Sequence, residues 1–301
     1  MRWIELSVEA PGEYAEPIVN LFARHLEGRV IVESPGGYNP DEGEQPPANA
    51  HVVIRGWLPM DATVNSTRAM IDMGLRLVSL IHPLPALRER QVSDDEWSRQ
   101  SFEPVRVGRR LVIVPPGSNY KRRARDIEVL VEPGLAFGTG HHPTTRMCLV
   151  ALEGNVKRGD AVLDVGCGSA ILSIAALKLG AARAVCLDIE EDAVKASRAN
   201  LTRAGVVDRA SVAVGSLPHE FAPEGGFDIA VANISANVVI KLADELVRSL
   251  APDGLLVASG VLDERSDEVE AAILRAGGRI TAKGLSADWV ALEVRRGTLG
   301  T

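Results

Sequence analysis

The sequence predicts an α/β protein in which a doubly wound, seven-stranded sheet follows a smaller α+β domain. Over residues 160–295 short apolar runs alternate with helical patterns, and each run is nearly continuously apolar. Parallel strands that are covered on both faces have this composition. The first 92 residues have a different pattern, and the length of 301 residues is sufficient for two cores.

The N-terminal segment 1–92 predicts a ferredoxin-like domain. Its elements in order are a strand W-I-E-L-S-V (3–8), a helix within 14–27, the strands R-V-I-V-E (29–33) and H-V-V-I-R-G-W-L (51–58), a helix over 61–80, and a strand over 87–92. Alternation with period two marks the strands, and apolar residues three and four apart mark the helices. The resulting order β-α-β-β-α-β is the ferredoxin-like pattern.

A linking helix is expected over residues 93–106, with Asp94 as its N-terminal cap. The C-terminal domain then covers 107–301 and opens with strands at 110–114 and 126–131. The basic run K-R-R-A-R (121–125) lies between these strands. A solvated loop is the favoured interpretation of this run, over a contact to phosphate or substrate.

Seven further strands are expected in the C-terminal domain. They span 161–165, 184–188, 210–214, 227–232, 254–259, 279–284 and 288–295. Helices fit between the first six of these strands, which makes the sheet mainly parallel. No helix fits between the last two, so they are expected to form an antiparallel hairpin.

Composition and charge indicate a cytoplasmic protein. The net charge of −7 gives no general affinity for nucleic acid, and no apolar run is long enough to span a membrane. The start M-R-W-I-E-L-S-V-E carries charges where a signal peptide is apolar. Cys148, Cys167 and Cys186 are too far apart for a C-x-x-C site and are expected to be reduced and buried.

A glycine turn after the first strand of the large sheet predicts a cofactor site. In D-V-G-C-G-S-A, Gly166 and Gly168 leave the backbone accessible at a helix N-terminus. The next strand ends at Asp188, which can accept hydrogen bonds from both ribose hydroxyls. A nicotinamide site requires a third glycine where this chain has Ile171. S-adenosylmethionine, which has no pyrophosphate, suits the shorter turn preceded by Asp164, and a tight turn without ligand is the remaining alternative.

Three stretches closely resemble the bacterial enzymes that methylate ribosomal protein L11. They are E-P-G-L-A-F-G-T-G-H-H-P-T-T (132–145), V-L-D-V-G-C-G-S-A-I-L-S-I-A-A-L-K-L-G-A (162–181) and V-A-N-I-S-A (231–236). The resemblance covers residues 94–295 well and is looser over 1–92. It implies a class I methyltransferase sheet, S-adenosylmethionine as cofactor, and transfer to amino groups of L11, with the N-terminal domain holding the substrate.

The resemblance also implies roles for individual residues. Thr145, Gly166, Asp188 and Asn233 are expected to contact the cofactor, with Phe137 and Gly138 closing over it. Together with the residues of the glycine turn, the predicted cofactor site is Phe137, Gly138, Thr145, Asp164, Gly166, Gly168, Asp188 and Asn233. Pro143 at the start of a helix places the Thr145 hydroxyl near a helix end that can receive the methionine carboxylate.

Three positions depart from the family pattern. This chain has His141 where the family usually has Thr, Ala170 in place of Gly, and Ser235 in place of Leu. The doublet His141-His142 suggests a metal site, but a single ligand pair without H-x-x-x-H spacing makes no metal the favoured interpretation. Cys167 is interpreted as a small filler between two glycines and not as a nucleophile.

Asn233 is the predicted catalytic residue. It ends the strand F-D-I-A-V-A-N, and its amide oxygen can accept a hydrogen bond from a neutral lysine amine and orient the lone pair. The related Asn-Pro-Pro-aromatic motif stacks a planar substrate, but N-I-S-A has no aromatic platform, so a nucleic-acid base is not the expected substrate. No membrane contact and a monomer are expected.

Three functional alternatives stay open at this point. The chain could methylate another protein lysine or a small amine. It could be a non-catalytic ribosome-binding module with a vestigial cofactor pocket. A dehydrogenase is the third alternative.

Overall fold

The computed structural model describes residues 2–11, 14–26, 30–33, 51–93, 104–115, 118, 120–131 and 142–297. Contacts divide the chain into two compact units, Met1–Glu103 and Pro104–Thr301. The predicted cap Asp94 and the predicted cofactor residues Phe137 and Gly138 lie outside the described residues, as does His141.

The N-terminal unit has the predicted ferredoxin-like order. Its elements are β1 (Arg2–Pro11), α1 (Ala15–His25), β2 (Val30–Glu33), β3 (His51–Pro59), α2 (Val64–Ser79) and β4 (Arg88–Ser93). The sheet order is β2-β3-β1-β4, and each neighbouring pair is antiparallel. One face of the sheet packs on both helices, because alternate residues such as Leu6 and Ile54 meet Phe22 and Ile71 in one buried cluster.

A three-stranded sheet opens the C-terminal unit. It consists of β5 (Val105–Val107), β6 (Leu111–Val114) and β7 (Ile127–Leu130). The linking helix predicted over 93–106 lies mostly outside the described residues, but its last part is wrong, since Val105 already belongs to β5. Antiparallel pairing with β6 across a turn at Gly108, where φ is +64°, favours the strand. A strand of three residues is too short to show an alternating pattern, so the sequence did not predict β5.

The large sheet is built from strands that alternate with helices as predicted, except between the third and fourth of its strands. The elements are α3 (Pro143–Asn155), β8 (Ala161–Val165), α4 (Ile171–Leu179), β9 (Arg183–Asp188), α5 (Glu191–Arg203), β10 (Ala210–Val214), β11 (Phe227–Asn233), α6 (Ala236–Ser249), β12 (Leu250–Leu262), α7 (Ser266–Arg275), β13 (Gly278–Ser286) and β14 (Trp289–Arg296). The strand order is β10-β9-β8-β11-β12-β14-β13. β14 is antiparallel to both neighbours, which confirms the predicted hairpin.

One predicted helix of this sheet is wrong. Residues 215–226, between β10 and β11, form turns and an isolated bridge from His219 to Ala222. The segment reads G-S-L-P-H-E-F-A-P-E-G-G. Two prolines without backbone N–H groups and three flexible glycines prevent a stable helix of this length.

Both faces of the large sheet are buried. Val162 and Ile229 point into a cluster that includes residues of α3, α4 and α5, whereas Leu163 and Ala230 point into a second cluster with α6 and α7. All three cysteines are buried and free, as predicted, and burial raises the pKa of the Cys148 thiol to about 12. The faces of β8, β9 and β11 are therefore largely covered by helices, and a sheet of this kind binds ligands at the carboxyl ends of its strands.

Among the described residues no helix is long and apolar enough to cross a membrane.

Candidate cofactor and amine site

Strand register brings three predicted site residues to one level of the sheet. Val165 of β8 pairs with Leu187 of β9 and with Ala232 of β11. The residues that follow them, Gly166, Asp188 and Asn233, therefore lie side by side at the carboxyl edge. With strands spaced about 4.8 Å apart, Asp188 and Asn233 flank the glycine turn at roughly 10 Å from each other. The order in which successive strands are added to the sheet reverses between β8 and β11. Ligands bind at such a switch point of an α/β sheet.

The glycine turn has a backbone that few side chains tolerate. Gly166 has φ +71° and Gly168 has φ +51°. The N–H groups of Gly166 and Cys167 both donate to Leu187 O, at 2.8 and 3.1 Å, which fixes the turn against β9. Ala170 has φ +61°, a left-handed conformation that suits the glycine usual in the family. Its methyl group is the smallest side chain that can replace glycine there.

The open space at Gly166 serves packing as well as ligand access. A Cβ atom added to Gly166 would collide with the side chain of Ile234, the residue after Asn233. Glycine at this position lets the loop after β11 pack directly on the turn after β8 and holds Asn233 beside that turn.

Asp188 joins the end of β9 to the glycine turn. Its carboxylate accepts hydrogen bonds from Gly168 N at 2.8 Å and from Glu190 N at 3.0 Å, one on each oxygen. The residue is 8% exposed. Because a carboxylate has about four acceptor sites, each oxygen retains a lone pair for a ribose hydroxyl.

Asp164 lies inside the fold and not at the edge. It is 1% exposed, and its Oδ2 accepts hydrogen bonds from Ser173 Oγ at 2.7 Å and from Ser173 N at 3.2 Å. Burial raises the pKa of this carboxyl to about 6, although the hydrogen bonds from Ser173 act in the opposite direction. The observed contacts bind Asp164 to the first turns of α4, and its contact with a cofactor stays a prediction.

The side chains of Thr145 and Asn233 form a hydrogen bond with each other. Asn233 Nδ2 donates to Thr145 Oγ1 at 3.4 Å, and Thr145 is 2% exposed. The amide oxygen of Asn233 is buried and has no hydrogen-bond partner in the described part of the chain. An unpaired buried acceptor is uncommon and costly, which is typical of a site that binds a donor from outside the chain.

His142 begins helix α3 and thereby positions Thr145. Its Nδ1 lies 2.7 Å from Thr144 Oγ1 and caps the backbone N–H of Thr144 at 3.4 Å. Its ring packs edge-on against Trp289, with 4.8 Å between the ring centroids, and burial lowers the pKa of the imidazole. The observed role of His142 is therefore that of a helix cap packed against an aromatic ring. No group of three metal-binding side chains occurs among the residues that can be described, and His141 is not one of these.

Helix α5 supports the glycine turn through residues that the sequence analysis did not identify. Ser197 Oγ donates to Gly168 O at 2.8 Å, and Asn200 Nδ2 donates to Ser169 O at 3.0 Å. Both residues lie on the buried face of α5, in register with Val194 and Leu201. Polar residues at core positions of an amphipathic helix were the signal that could have identified them.

The residues present fit an adenosyl sulfonium ligand. The turn offers bare backbone, Asp188 offers acceptors for a ribose, and Asn233 offers an unpaired oxygen beyond it. This arrangement, in a sheet with one antiparallel strand next to its edge, is that of a class I S-adenosylmethionine-dependent methyltransferase. A family model described as "Ribosomal protein L11 methyltransferase (PrmA)" matches residues 2–297. The chain belongs to this family, and S-adenosylmethionine is its methyl donor.

Relatives and a solved structure agree with the family assignment. The chain is 37% identical over 323 residues to the ribosomal protein L11 methyltransferase of Chloroflexus aurantiacus, with 98% of each chain covered. It is 35% identical over 309 residues to that of Pelotomaculum thermopropionicum, with 98% and 99% covered. A crystal structure of ribosomal protein L11 methylase from Lactobacillus delbrueckii superposes with a TM-score of 0.61 at 30% identity, covering 65% of this chain and all of that one. The dehydrogenase alternative is thereby excluded.

Proposed function

We propose that this chain transfers methyl groups from S-adenosylmethionine to amino groups of ribosomal protein L11, at lysine side chains or the α-amino group. The unpaired oxygen of Asn233 at the carboxyl edge supports methyl transfer to an N–H donor. The match over residues 2–297, which spans both units, supports L11 as the protein substrate.

The cofactor residues have separate tasks in this proposal. Asp188 holds the ribose hydroxyls, Gly166 and Gly168 line the turn beneath, and Thr145 receives the methionine carboxylate at the start of α3. Phe137 and Gly138 cover the cofactor from above. When bound, S-adenosylmethionine supplies an electrophilic methyl group on a sulfonium.

Asn233 orients the accepting amine. A lysine amine must be neutral to attack, and neutralising it at about pH 7 costs about 4.6 kcal/mol from a reference pKa near 10.4. A closed site that excludes water lowers this cost, because burial disfavours the ammonium. Asn233 Oδ1 then accepts one N–H of the neutral amine and directs its lone pair towards the methyl group. An amide is not a base at this pH, so the proton leaves to solvent before transfer.

The N-terminal unit is proposed to bind L11, and the C-terminal unit to carry out transfer. The substrate is a protein and not a nucleic acid, since the N-I-S-A sequence at Asn233 offers no aromatic platform for a base. The enzyme is proposed to act as a monomer in the cytoplasm, where ribosomal proteins are made.

Labelled cofactor tests the proposal directly. The purified chain is incubated with methyl-labelled S-adenosylmethionine and purified L11, and the methylated residues are located by mass spectrometry. We expect label on L11, and at least a roughly hundredfold lower rate for Asn233→Ala at a saturating concentration of cofactor, where a weaker contact between Asn233 and the cofactor no longer sets the rate. Asn237→Ala is the matched control, because this exposed amide accepts from Arg265 on the surface.

The outcome that contradicts the proposal is equally specific. If L11 stays unlabelled while another protein of a whole lysate or a small amine is labelled, that molecule replaces L11 as the substrate. Absence of cofactor binding would favour the vestigial binding module.

A further inference from the structure

A second unpaired polar atom lies two residues beyond Asn233. Ser235 Oγ is buried without a hydrogen-bond partner in the described part of the chain, as is Asn233 Oδ1. Ser235 is 6% exposed. Buried hydroxyl groups in native proteins are normally satisfied, so two orphans in one short loop indicate donors that come from a ligand.

Helix capping does not account for this serine. Ser235 is the N-terminal cap of α6, a position where serine usually accepts a hydrogen bond from the first turn, but its side chain makes no such bond. The helix start is held instead by the backbone, because Val238 N and Val239 N donate to Ser235 O at 3.1 and 3.0 Å. The hydroxyl therefore remains available as an acceptor.

The loop that carries both atoms is firmly held. Between them, the side chain of Ile234 fills the space beside Gly166, and its backbone packs so closely on Gly260 that an added Cβ would collide with it. Ile234 N also donates to Ser259 O at 3.0 Å. Asn233 and Ser235 thus lie on either side of a closely packed residue, next to the glycine turn.

The chemistry of a primary amine requires two acceptors. A neutral lysine amine has one lone pair and two N–H groups, and the lone pair must point at the methyl group during transfer. Both N–H groups then need acceptors inside a site that excludes water. Asn233 Oδ1 and Ser235 Oγ are two such acceptors, whereas the side chain of the leucine usual at this position in the family provides none.

We propose that Ser235 is a specificity-determining residue that accepts the second N–H of the unmethylated amine. It thereby favours the first methyl transfer to a given nitrogen over later ones. A monomethylated amine has a single N–H, so one of the two oxygens is left unpaired against a methyl group when it binds. The inference rests on the proposed function and specifies the substrate contacts of the same site.

The first test measures methylation states. Wild type, Ser235→Ala and Ser235→Leu are incubated with L11 and cofactor, and mono-, di- and trimethylated products are counted by mass spectrometry at partial conversion. We expect Ser235→Ala to lower the preference for the unmethylated over the monomethylated amine by roughly 3- to 10-fold, the effect of one hydrogen bond. An unchanged preference in both variants overturns the proposal.

Ser249→Ala is the matched control. Ser249 is a buried serine at the other end of α6, and its hydroxyl donates to Leu246 O at 2.7 Å. This variant should lower the melting temperature and leave the methylation pattern unchanged. Ser235→Ala should change the methylation pattern without lowering the melting temperature, because it removes a group that has no partner within the described chain.

A binding test separates this inference from the identity of the protein substrate. Calorimetry compares a cofactor analogue that carries a primary amine in place of the methyl group with S-adenosylhomocysteine, which has neither. We expect Ser235→Ala to lower the affinity for the amine analogue by roughly 3- to 10-fold and to leave the affinity for S-adenosylhomocysteine unchanged. If L11 receives no methyl group but Ser235→Ala weakens binding of the amine analogue, the contact between Ser235 and the amine is supported. Only L11 as the substrate is then wrong. If L11 is methylated and neither measurement responds to Ser235→Ala, the contact is refuted.

Discussion

Two carboxylates at neighbouring strands differ in what surrounds them. Asp188 ends β9 at the sheet edge and accepts from two backbone N–H groups. Asp164 belongs to the interior of β8 and has Ser173 as its hydrogen-bond donor. The first has acceptor sites left for a ligand, and the second is a source of pH-dependent stability.

Replacing Asp188 should weaken cofactor binding. Asp188→Ala removes a charged acceptor of ribose hydroxyls and leaves Gly168 N unpaired, so affinity for S-adenosylmethionine should fall by about 10- to 100-fold in calorimetry. Asp188→Asn, which keeps one acceptor oxygen, should lie between this variant and the wild type. The control Asp192→Ala changes a side chain that is 93% exposed and pairs with Lys195. Equal affinities for Asp188→Ala and the control would refute the ribose contact.

Asp164 should make the enzyme less stable as pH rises. Burial raises the pKa of this carboxyl from 3.8 to about 6, so the folded chain binds the proton more tightly than the unfolded chain. Its contribution to stability is full below about pH 4 and is lost as pH rises through about 6. The melting temperature of Asp164→Asn relative to wild type should therefore increase from about pH 4 to about pH 7, equivalent to about 3 kcal/mol at most.

Asp126→Asn supplies the control of opposite sign. The hydrogen bond from Tyr120 is the main cause that lowers the pKa of Asp126 to about 2, against desolvation, with help from Arg123 N and Arg106. Its stabilising effect is present above the ordinary pKa and is lost only as pH falls through about 2. The difference between this variant and wild type should stay constant from about pH 4 to about pH 7. A flat difference for Asp164→Asn as well would contradict the buried-carboxyl interpretation.

Two glycines in different elements should respond in opposite ways to alanine. Gly260 in β12 has φ +84°, and an added Cβ would collide with the backbone of Ile234. Gly260→Ala should cost at least about 2 kcal/mol of unfolding free energy and reduce methyl transfer, because it displaces the loop that carries Asn233. Gly154 in α3 has no atom within 4 Å of an added Cβ. Gly154→Ala should stabilise the chain by about 0.5–1 kcal/mol in denaturant unfolding and leave activity intact.

The elements also mark the limit of sequence patterns. Strong apolar runs such as 161–165 gave β8 with its observed bounds, because burial on both faces dictates composition. The segment 215–226 was expected to contain a helix, and its two prolines overrode the general α/β alternation. The three-residue strand β5 has no pattern of its own and exists because β6 pairs with it.

At the scale of the whole molecule, each unit has its own core. The N-terminal cluster around Leu6 and Phe22 is separate from the two clusters that cover the large sheet. A chain built in this way can divide recognition and catalysis between its units.

Truncation tests that division of labour. Residues 104–301 produced alone should fold and bind S-adenosylmethionine within about threefold of the full chain, because the described cofactor residues belong to this unit. Methylation of L11 should fall by at least about 100-fold, since binding energy from the other unit no longer positions the substrate. Calorimetry and mass spectrometry of L11 measure the two quantities. Full activity of the fragment would refute substrate recognition by the N-terminal unit.

The sequence alone determined the sheet, its antiparallel hairpin, the glycine turn and the positions of Asp188 and Asn233, because local composition and spacing carry these features. Only the tertiary structure decided that Ile234 fills the space at Gly166, that α5 holds the turn through Ser197, and that Ser235 Oγ has no partner within the described chain. Such contacts join residues far apart in sequence or depend on how a side chain is enclosed. The periodicity of one segment contains no information about contacts with distant segments or about how a side chain is enclosed.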